Sequence, residues 1–510
     1  MRLRLGGHGD SERWTRRRFV AVAGSAAAGL LVKPALRASA QTPLRTDGGG
    51  AAAADTPRYL SAPDLEPPAI TIEQTAAGTN AGQIFVAPFS LATQPTGQYG
   101  AMIVDDAGEP YWFYPTPQAR TVMDLRVQTY KGAPVLTWYE GKTPPAYGGV
   151  FMIADASYRR LARVKGGHGY QGDVHEFILT SRGTALIAIY IEVTADLSSV
   201  GGPVDGKLVE GIVQELAIPS GRVLFEWHSL DHVPLDESYR TAETPQGNVD
   251  YFHLNSIGVD VDGNLLVSAR HTSTVYKLDR RSGEVLWRLG GKMSDFQLGA
   301  GARFDFQHDA RGHADGTLTV FDNGATGPGA MAVEPLSRPM RLMLDPAAMT
   351  ATLVAEYLSS TPRLTIAMGN LQTLPDGAAF VGWGTDGSFS EIGPDGTTRL
   401  DARFDPGTAT YRAFRNQWHG RPKTLPAVAV AASSGGAPTA YVSWNGATEV
   451  AQWRLRAGSS PTTLKTVAVS PRNGFETSIP VPAGAKLVAV DALDSSGTVL
   501  ATSKPVRAQS

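Results

Sequence analysis

The sequence contains no cysteine. That excludes a disulfide framework, a lipid-modified cysteine and any thiolate metal site, so the fold must rest on packing. Charge is sparse at 18% of residues while 42% are hydrophobic, a balance that excludes disorder of the whole chain. A membrane-spanning helix is missing as well, since the apolar run from Val20 to Val32 falls short of the ~20 residues such a helix needs. So is any helical period sustained over about a dozen residues. What remains is short apolar alternation broken by 56 Gly and 34 Pro, which predicts an all-β chain.

The first residues predict a targeting segment. Thr15-Arg16-Arg17-Arg18-Phe19 precedes the apolar run, and Ala38-Ser39-Ala40 offers a small-residue cleavage site. Residues 1–40 therefore read as a twin-arginine signal, implying export to the periplasm or the cell exterior. They carry eight of the 46 Lys/Arg and two of the 48 Asp/Glu, leaving 38 positive and 46 negative groups, a formal net of −8. That balance argues against nucleic acid or anionic lipid as a general partner. Residues 41–59 have the Gly, Ala, Thr and Asp composition of a flexible linker.

Internal repeats set the expected architecture. A strand, a tight turn and a second apolar strand recur six times at a spacing of roughly 50 to 65 residues. The copies begin at Ala101, Val150, Val213, Val275, Arg341 and Phe389. In the four later copies another strand pair precedes this hairpin. It opens on His175, His253, His308 or Asn370 and turns at Gly183, Gly263, Gly316 or Gly377. Six units of four strands predict a six-bladed β-propeller over residues 60–422, with the leading pair of each unit next to the axis. His175, His253, His308 and Asn370 would then converge at one mouth of the central channel. After Pro422 the pattern changes. Short strands near 440–444, 452–455, 475–479, 486–490 and 498–502 predict an immunoglobulin- or fibronectin-like β-sandwich over 423–510.

Phe252-His253-Leu254-Asn255-Ser256-Ile257, followed by Asp262-Gly263-Asn264 and the strand up to Arg270-His271, resembles the core signature of the arylsulfotransferase (arylsulfate sulfotransferase) family. Asp173-Val174-His175-Glu176 upstream and Phe306-Gln307-His308-Asp309-Ala310-Arg311 downstream strengthen the resemblance, which is strongest over about residues 165–325. It implies a six-bladed propeller that moves a sulfuryl group from a phenolic sulfate ester to a phenol acceptor without a nucleotide donor. His308 matches the histidine that becomes transiently sulfated. His175, His253 and Arg270 match the groups that hold the sulfate and assist proton transfer.

The chemistry of the residues agrees with that reading. Sulfuryl transfer through a loose transition state places negative charge on the non-transferring oxygens, which a guanidinium fork and imidazole donors can bind. A neutral imidazole is a competent nucleophile, and a second one can protonate the departing phenolate. Arg270 is thus the expected oxyanion binder and His308 the nucleophile, with His253 and His175 both open for proton transfer. Asn370 is a candidate substrate contact. His271, next to Arg270 on an alternating strand, is expected to point away. Asn255 and Ser256 read as residues that satisfy backbone groups. Tyr190, Trp383 and Trp418 are candidate aromatic walls, while His228, His232, His313 and His419 read as surface or structural groups. No metal and no cofactor is expected. The rival reading is a non-catalytic binding or adhesion protein of the cell exterior.

Overall fold

The computed structural model describes residues 58–92, 97–116, 120–142, 148–240, 248–325, 333–431 and 438–508. The twin-arginine segment and nearly all of the expected linker lie outside them. The described residues form strands, joined by turns and a few single-turn 3-10 segments, and carry no α-helix.

The described residues between 70 and 416 make six sheets in chain order, antiparallel but for two short parallel pairings at Val249–Asp250 and Gln297–Leu298. The second runs Thr121–Tyr130, Ala133–Gly141, Gly149–Ala154, Arg160–Val164. The third runs Phe177–Leu179, Thr184–Ala195, Gly206–Ala217, Val223–His228, and the fourth Leu254–Val259, Leu265–Ala269, Thr274–Leu278, Val285–Gly290. The fifth holds His308–Gly312, Thr317–Asp322, Arg338–Asp345 and Thr350–Glu356. The sixth holds Asn370–Thr373, Ala379–Gly382, Ser388–Ile392 and Thr398–Phe404. The first sheet takes its leading strand from the far end of the segment: Thr408–Asn416 pairs with Gln83–Ser90, which is followed by Gly100–Val104 and Pro110–Pro115. Reciprocally, Ile70–Thr75 pairs with Thr398–Phe404 of the sixth sheet. Both ends of the segment are therefore held by strand pairing.

The turns explain why these hairpins form where they do. Gly183, Gly263, Gly316 and Gly377 all adopt positive φ, between 73° and 85°, where a β-carbon is strained even though Gly183 and Gly263 have open space beside them. The strands between the turns are apolar on both faces because each sheet packs between two others. Six apolar clusters follow the chain. Trp112 and Trp138 join the first and second sheets, Phe151 and Phe177 the second and third, and Tyr190 and Leu254 the third and fourth. Leu266 and Val320 join the fourth and fifth, Phe321 and Trp383 the fifth and sixth, and Phe380 and Val86 return the series to the first.

Where the leading strands meet lies a largely buried ion network that the sequence reading did not anticipate. Arg412, from the first sheet, is 3.3 Å from Asp124 of the second, Glu176 of the third and Asp309 of the fifth. Arg126 pairs with Asp124 and, at 2.5 Å, with Glu176; Arg311 binds Glu176 and Asp309, each at 2.6 Å. The fourth and sixth sheets join through backbone amides, Ile257 N–H donating to Glu176 and Leu371 N–H to Asp309, both at 3.3 Å. Three carboxylates and three guanidinium groups thus tie all six sheets together.

Beyond Pro422, two further sheets share one apolar cluster that includes Val442, Trp453, Leu455, Ile479 and Val490. One contains Ala427–Ala431, Thr439–Ser443 and Thr477–Pro480; the other Lys465–Pro471, Gln452–Gly458, Leu487–Leu493 and Val499–Thr502, with Val506–Arg507. Ala427–Ala431 and Lys465–Pro471 are strands that the sequence reading missed. These sheets contact the edge strand of the first sheet: Asn445 exchanges two 2.9 Å hydrogen bonds with the Phe113 backbone, and Arg472 stacks on Tyr111. Tyr59, placed by composition at the end of the linker, is instead buried with its ring 4.4 Å from that of Phe475.

Removing one charge from the network leaves its partners buried and uncompensated, which typically costs about 3–5 kcal/mol. Arg412→Leu is expected to lower the denaturant midpoint by a corresponding amount, followed by tryptophan fluorescence. A loss below about 1 kcal/mol would show that the network is not what holds the sheets in place.

Candidate active site

Residues at the starts of the leading strands form one cluster against the ion network. His175 precedes Phe177–Leu179, and its backbone carbonyl accepts from Arg412 at 3.2 Å. His253 precedes Leu254–Val259 and His308 opens His308–Gly312. The rings of His175 and His253 are 4.8 Å apart, those of His253 and His308 6.5 Å. Tyr190 stacks on His175 at 5.1 Å and donates its hydroxyl to the Leu254 carbonyl at 2.8 Å.

Backbone geometry fixes these positions. His253, Phe306 and Met368 have φ of 56°, 55° and 68°, a region that costs a side-chain-bearing residue on the order of 1–3 kcal/mol. The His253 carbonyl accepts the Arg270 N–H at 3.0 Å and the Phe252 carbonyl the His271 N–H at 3.1 Å, so the strand start and the next turn are joined. The Arg270 Nη2 donates to the carbonyls of Ala325 at 3.0 Å and Ile366 at 2.5 Å, and the guanidinium lies over Phe306. Burial, with the nearby Arg240 charge next, pushes Arg270 down to about 10, which keeps it cationic at neutral pH.

Each imidazole has its own hydrogen-bond partner at Nδ1. His175 faces Asp173, and His253 faces Asp250 at 2.5 Å. His308 faces the amide oxygen of Asn323 at 2.6 Å. Burial holds His253 and His308 below the ordinary imidazole value; Asp250 opposes this at His253, whereas Arg270 reinforces it at His308. The Asp250 carboxyl, although buried, is held well below the usual carboxylate range by His253 and His271.

The structure brings His175, His253, His308 and Arg270 together. Asn370 does not join them: its amide donates to the Ala413 carbonyl at 2.8 Å and accepts the Ala413 N–H at 2.9 Å, so it fastens the sixth sheet to the first. The sequence placed it at an equivalent strand start, but there its side chain meets backbone rather than the pocket. His271 departs from expectation in the other direction. The strand ends at Ala269, so Arg270 and His271 lie in a turn where alternation no longer applies. His271 is buried 4.6 Å from the His253 ring, its Nδ1 2.5 Å from the Asp250 carbonyl. Asn255 and Ser256 do satisfy backbone, bonding the Gln307 carbonyl and the Ala310 N–H. Trp383 and Trp418 pack between sheets, leaving Tyr190 as the one of the three aromatic candidates in the pocket. His228, His232, His313 and His419 lie elsewhere, against Glu210, Trp227, Thr319 and Glu449.

Asp173, Asp250 and Asn323 escaped the sequence reading, although the two aspartates stand only two and three residues from their histidines. The side chains of Asp250, His253 and His271 bring three possible metal-ligand atoms within 4.8 Å of one another. Both imidazole Nδ1 atoms already face Asp250 oxygens, an arrangement that suits protons as the bridging species.

Residues 126–405, more than half of the chain, match the family model described as "Arylsulfotransferase (ASST)". No curated protein matches. Among solved structures, a protein of unknown function from Bacteroides caccae is 13% identical, with 66% of this chain and 100% of that one covered at a TM-score of 0.39. A streptogramin B lyase is 11% identical, with 73% and 94% covered at 0.31. Virginiamycin B lyase from Staphylococcus aureus, with quinupristin, is 8% identical, with 74% and 97% covered at 0.34.

The buried histidines make stability depend on pH in a defined direction. Burial holds His271 and His308 well below the ordinary imidazole value, so they stay neutral in the fold while the unfolded chain takes up protons near pH ~6.5. Their contribution is complete above that pH and is lost as pH falls. His228, raised to about 9 by Glu210, acts oppositely, its contribution complete below ~6.5 and lost as pH rises through 9. Between pH 6.5 and 5 the lowered group governs, so the denaturant midpoint should fall across that window. A flat or rising midpoint would contradict the burial of neutral imidazoles.

Proposed function

The chain belongs to the arylsulfotransferase family, and from that premise we propose that it transfers a sulfuryl group from a phenolic sulfate ester to a phenol through a transient sulfo-His308. The observation that carries the reading is the clustering of three imidazoles with the Arg270 guanidinium nearby. In this reading the six sheets are the blades of a six-bladed propeller, closed by the pairing of its two ends, and the C-terminal pair is a sandwich. The enzyme works in the periplasm or outside the cell after twin-arginine export, and needs no cofactor.

In the first half-reaction the His308 lone pair gives up the Met368 N–H and turns to the donor. Nε2 of His308 attacks sulfur, the S–O(aryl) bond breaks, and its electron pair leaves on the phenolate oxygen. His253 protonates that oxygen. Asp250 at its Nδ1 directs Nε2 to the substrate and favours the charged ring, as an acid catalyst requires. Arg270 and His175 take the sulfuryl oxygens. In the second half-reaction the phenol acceptor gives its proton back to His253 and attacks sulfur, releasing neutral His308.

Three variants separate these roles. With an aryl sulfate donor and a phenol acceptor, in the absence of any nucleotide, His308→Asn should abolish transfer; retained activity removes it as nucleophile. Arg270→Gln should lower kcat by about 10²- to 10³-fold, the range for loss of an oxyanion donor. His253→Asn should be most damaging with a donor of poorly leaving phenolate and largely recovered with a nitrophenyl sulfate, whereas His175→Asn should lose activity evenly. The reverse pattern would exchange the two roles.

A further inference from the structure

We propose that Asn323 is a positioning residue that fixes His308 as the tautomer with its proton on Nδ1 and the lone pair on Nε2. Its use in attack on sulfur rests on the function proposed above; the tautomer itself does not.

The orientation of the Asn323 amide is determined by its other end. Its Nδ2 donates to the carbonyls of Thr365 at 2.9 Å and Met368 at 3.0 Å, so Oδ1 is the atom that faces His308 Nδ1 at 2.6 Å. An amide oxygen only accepts, hence Nδ1 must be the donor. At the other ring nitrogen the Met368 N–H approaches Nε2 at 3.3 Å as a donor, which requires a lone pair there. Asn323 is itself fully buried, at the end of Thr317–Asp322, and cannot exchange these partners for water.

The neutrality of the amide matters as much as its direction. His175 and His253 have carboxylates at Nδ1, and at His253 the Asp250 charge opposes the lowering that burial causes. A nucleophile must instead stay unprotonated. The charged and titratable groups around His308 are Arg270, His253 and His175, all of which disfavour its protonation. The adjacent Asp309 carboxylate is held by Arg311 and Arg412 in the ion network and is paired away from the ring. On sulfuryl transfer the N–S bond forms at Nε2 and the ring becomes an imidazolium that keeps its Nδ1 proton on the Asn323 oxygen. No proton need leave His308 in either half-reaction.

The test is ¹⁵N NMR of histidine-labelled mature protein, the His308 signals being identified by their absence in His308→Gln. The expected spectrum shows Nδ1 protonated, Nε2 unprotonated and no titration between pH 8 and 6. A proton on Nε2 overturns the proposal in the native protein, whether or not any variant folds. In Asn323→Asp, checked for fold by circular dichroism, the carboxylate should move the acid limb of single-turnover sulfation toward neutral by about 1 to 3 pH units. An unmoved limb in a folded variant would also overturn it. If the expected tautomer is seen but no aryl sulfate is turned over, the transferase reading fails while the assignment of Asn323 stands.

Discussion

Six sheets pack against one another, and something must fill the space where their leading strands converge. Here that filler is charge. Glu176 and Arg412 are completely buried, and burial of either alone would be prohibitive. Each is compensated by partners from other sheets, so the network is satisfied only when the second, third, fifth and first sheets are in register. An apolar plug could slide or repack. Directional ion pairs, with the amides of Ile257 and Leu371 completing them, specify one arrangement. Because Arg412 also donates to the His175 and Asn255 carbonyls, that arrangement is transmitted upward to the strand starts that carry the imidazoles.

The pocket above therefore begins from a rigid floor, and its chemistry is differentiated by small changes in what touches each ring. Two have aspartate at Nδ1 and one has asparagine, so two rings face a carboxylate and one a neutral amide. Asp173 and Asp250 lie two and three residues from their histidines, so each pair is set by local turn geometry. Asn323 reaches His308 across a hairpin from the adjacent strand, which makes its alignment depend on the pairing of His308 with Phe321 in the fifth sheet.

Much of this was legible in the sequence because the fold is repetitive. Every one of the six hairpins read from apolar runs and turn residues forms the third and fourth strands of a sheet, and the four X-Gly turns join the first and second. The first sheet hid its leading strand because Thr408–Asn416 lies more than three hundred residues from the strand it pairs with. The second sheet hid its leading pair because it carries Met123 where the fifth carries His308, the two strands sharing the same shift in register before Arg126 and Arg311. The same periodicity misled at Asn370, since a shared strand position does not fix where a side chain is used. At His271 a strand rule was extended one residue past the strand's end. The ion network was invisible for a different reason: Asp124, Glu176, Asp309 and Arg412 look like ordinary surface charges until the sheets are assembled.

The C-terminal sheets show the same division between what carries the site and what does not. Their contacts include Pro110–Pro115, the strand of the first sheet farthest in order from Thr408–Asn416, which supplies Tyr411 and Arg412 beneath His175. Asn445 and Gly446 bond backbone there, and the segment before the first strand joins them through Ser61 and Glu476. These sheets consequently brace the outer edge of the one sheet assembled from distant parts of the chain. A sheet closed by its own two ends is where fraying would begin, and its leading strand bears the arginine on which the central charges converge.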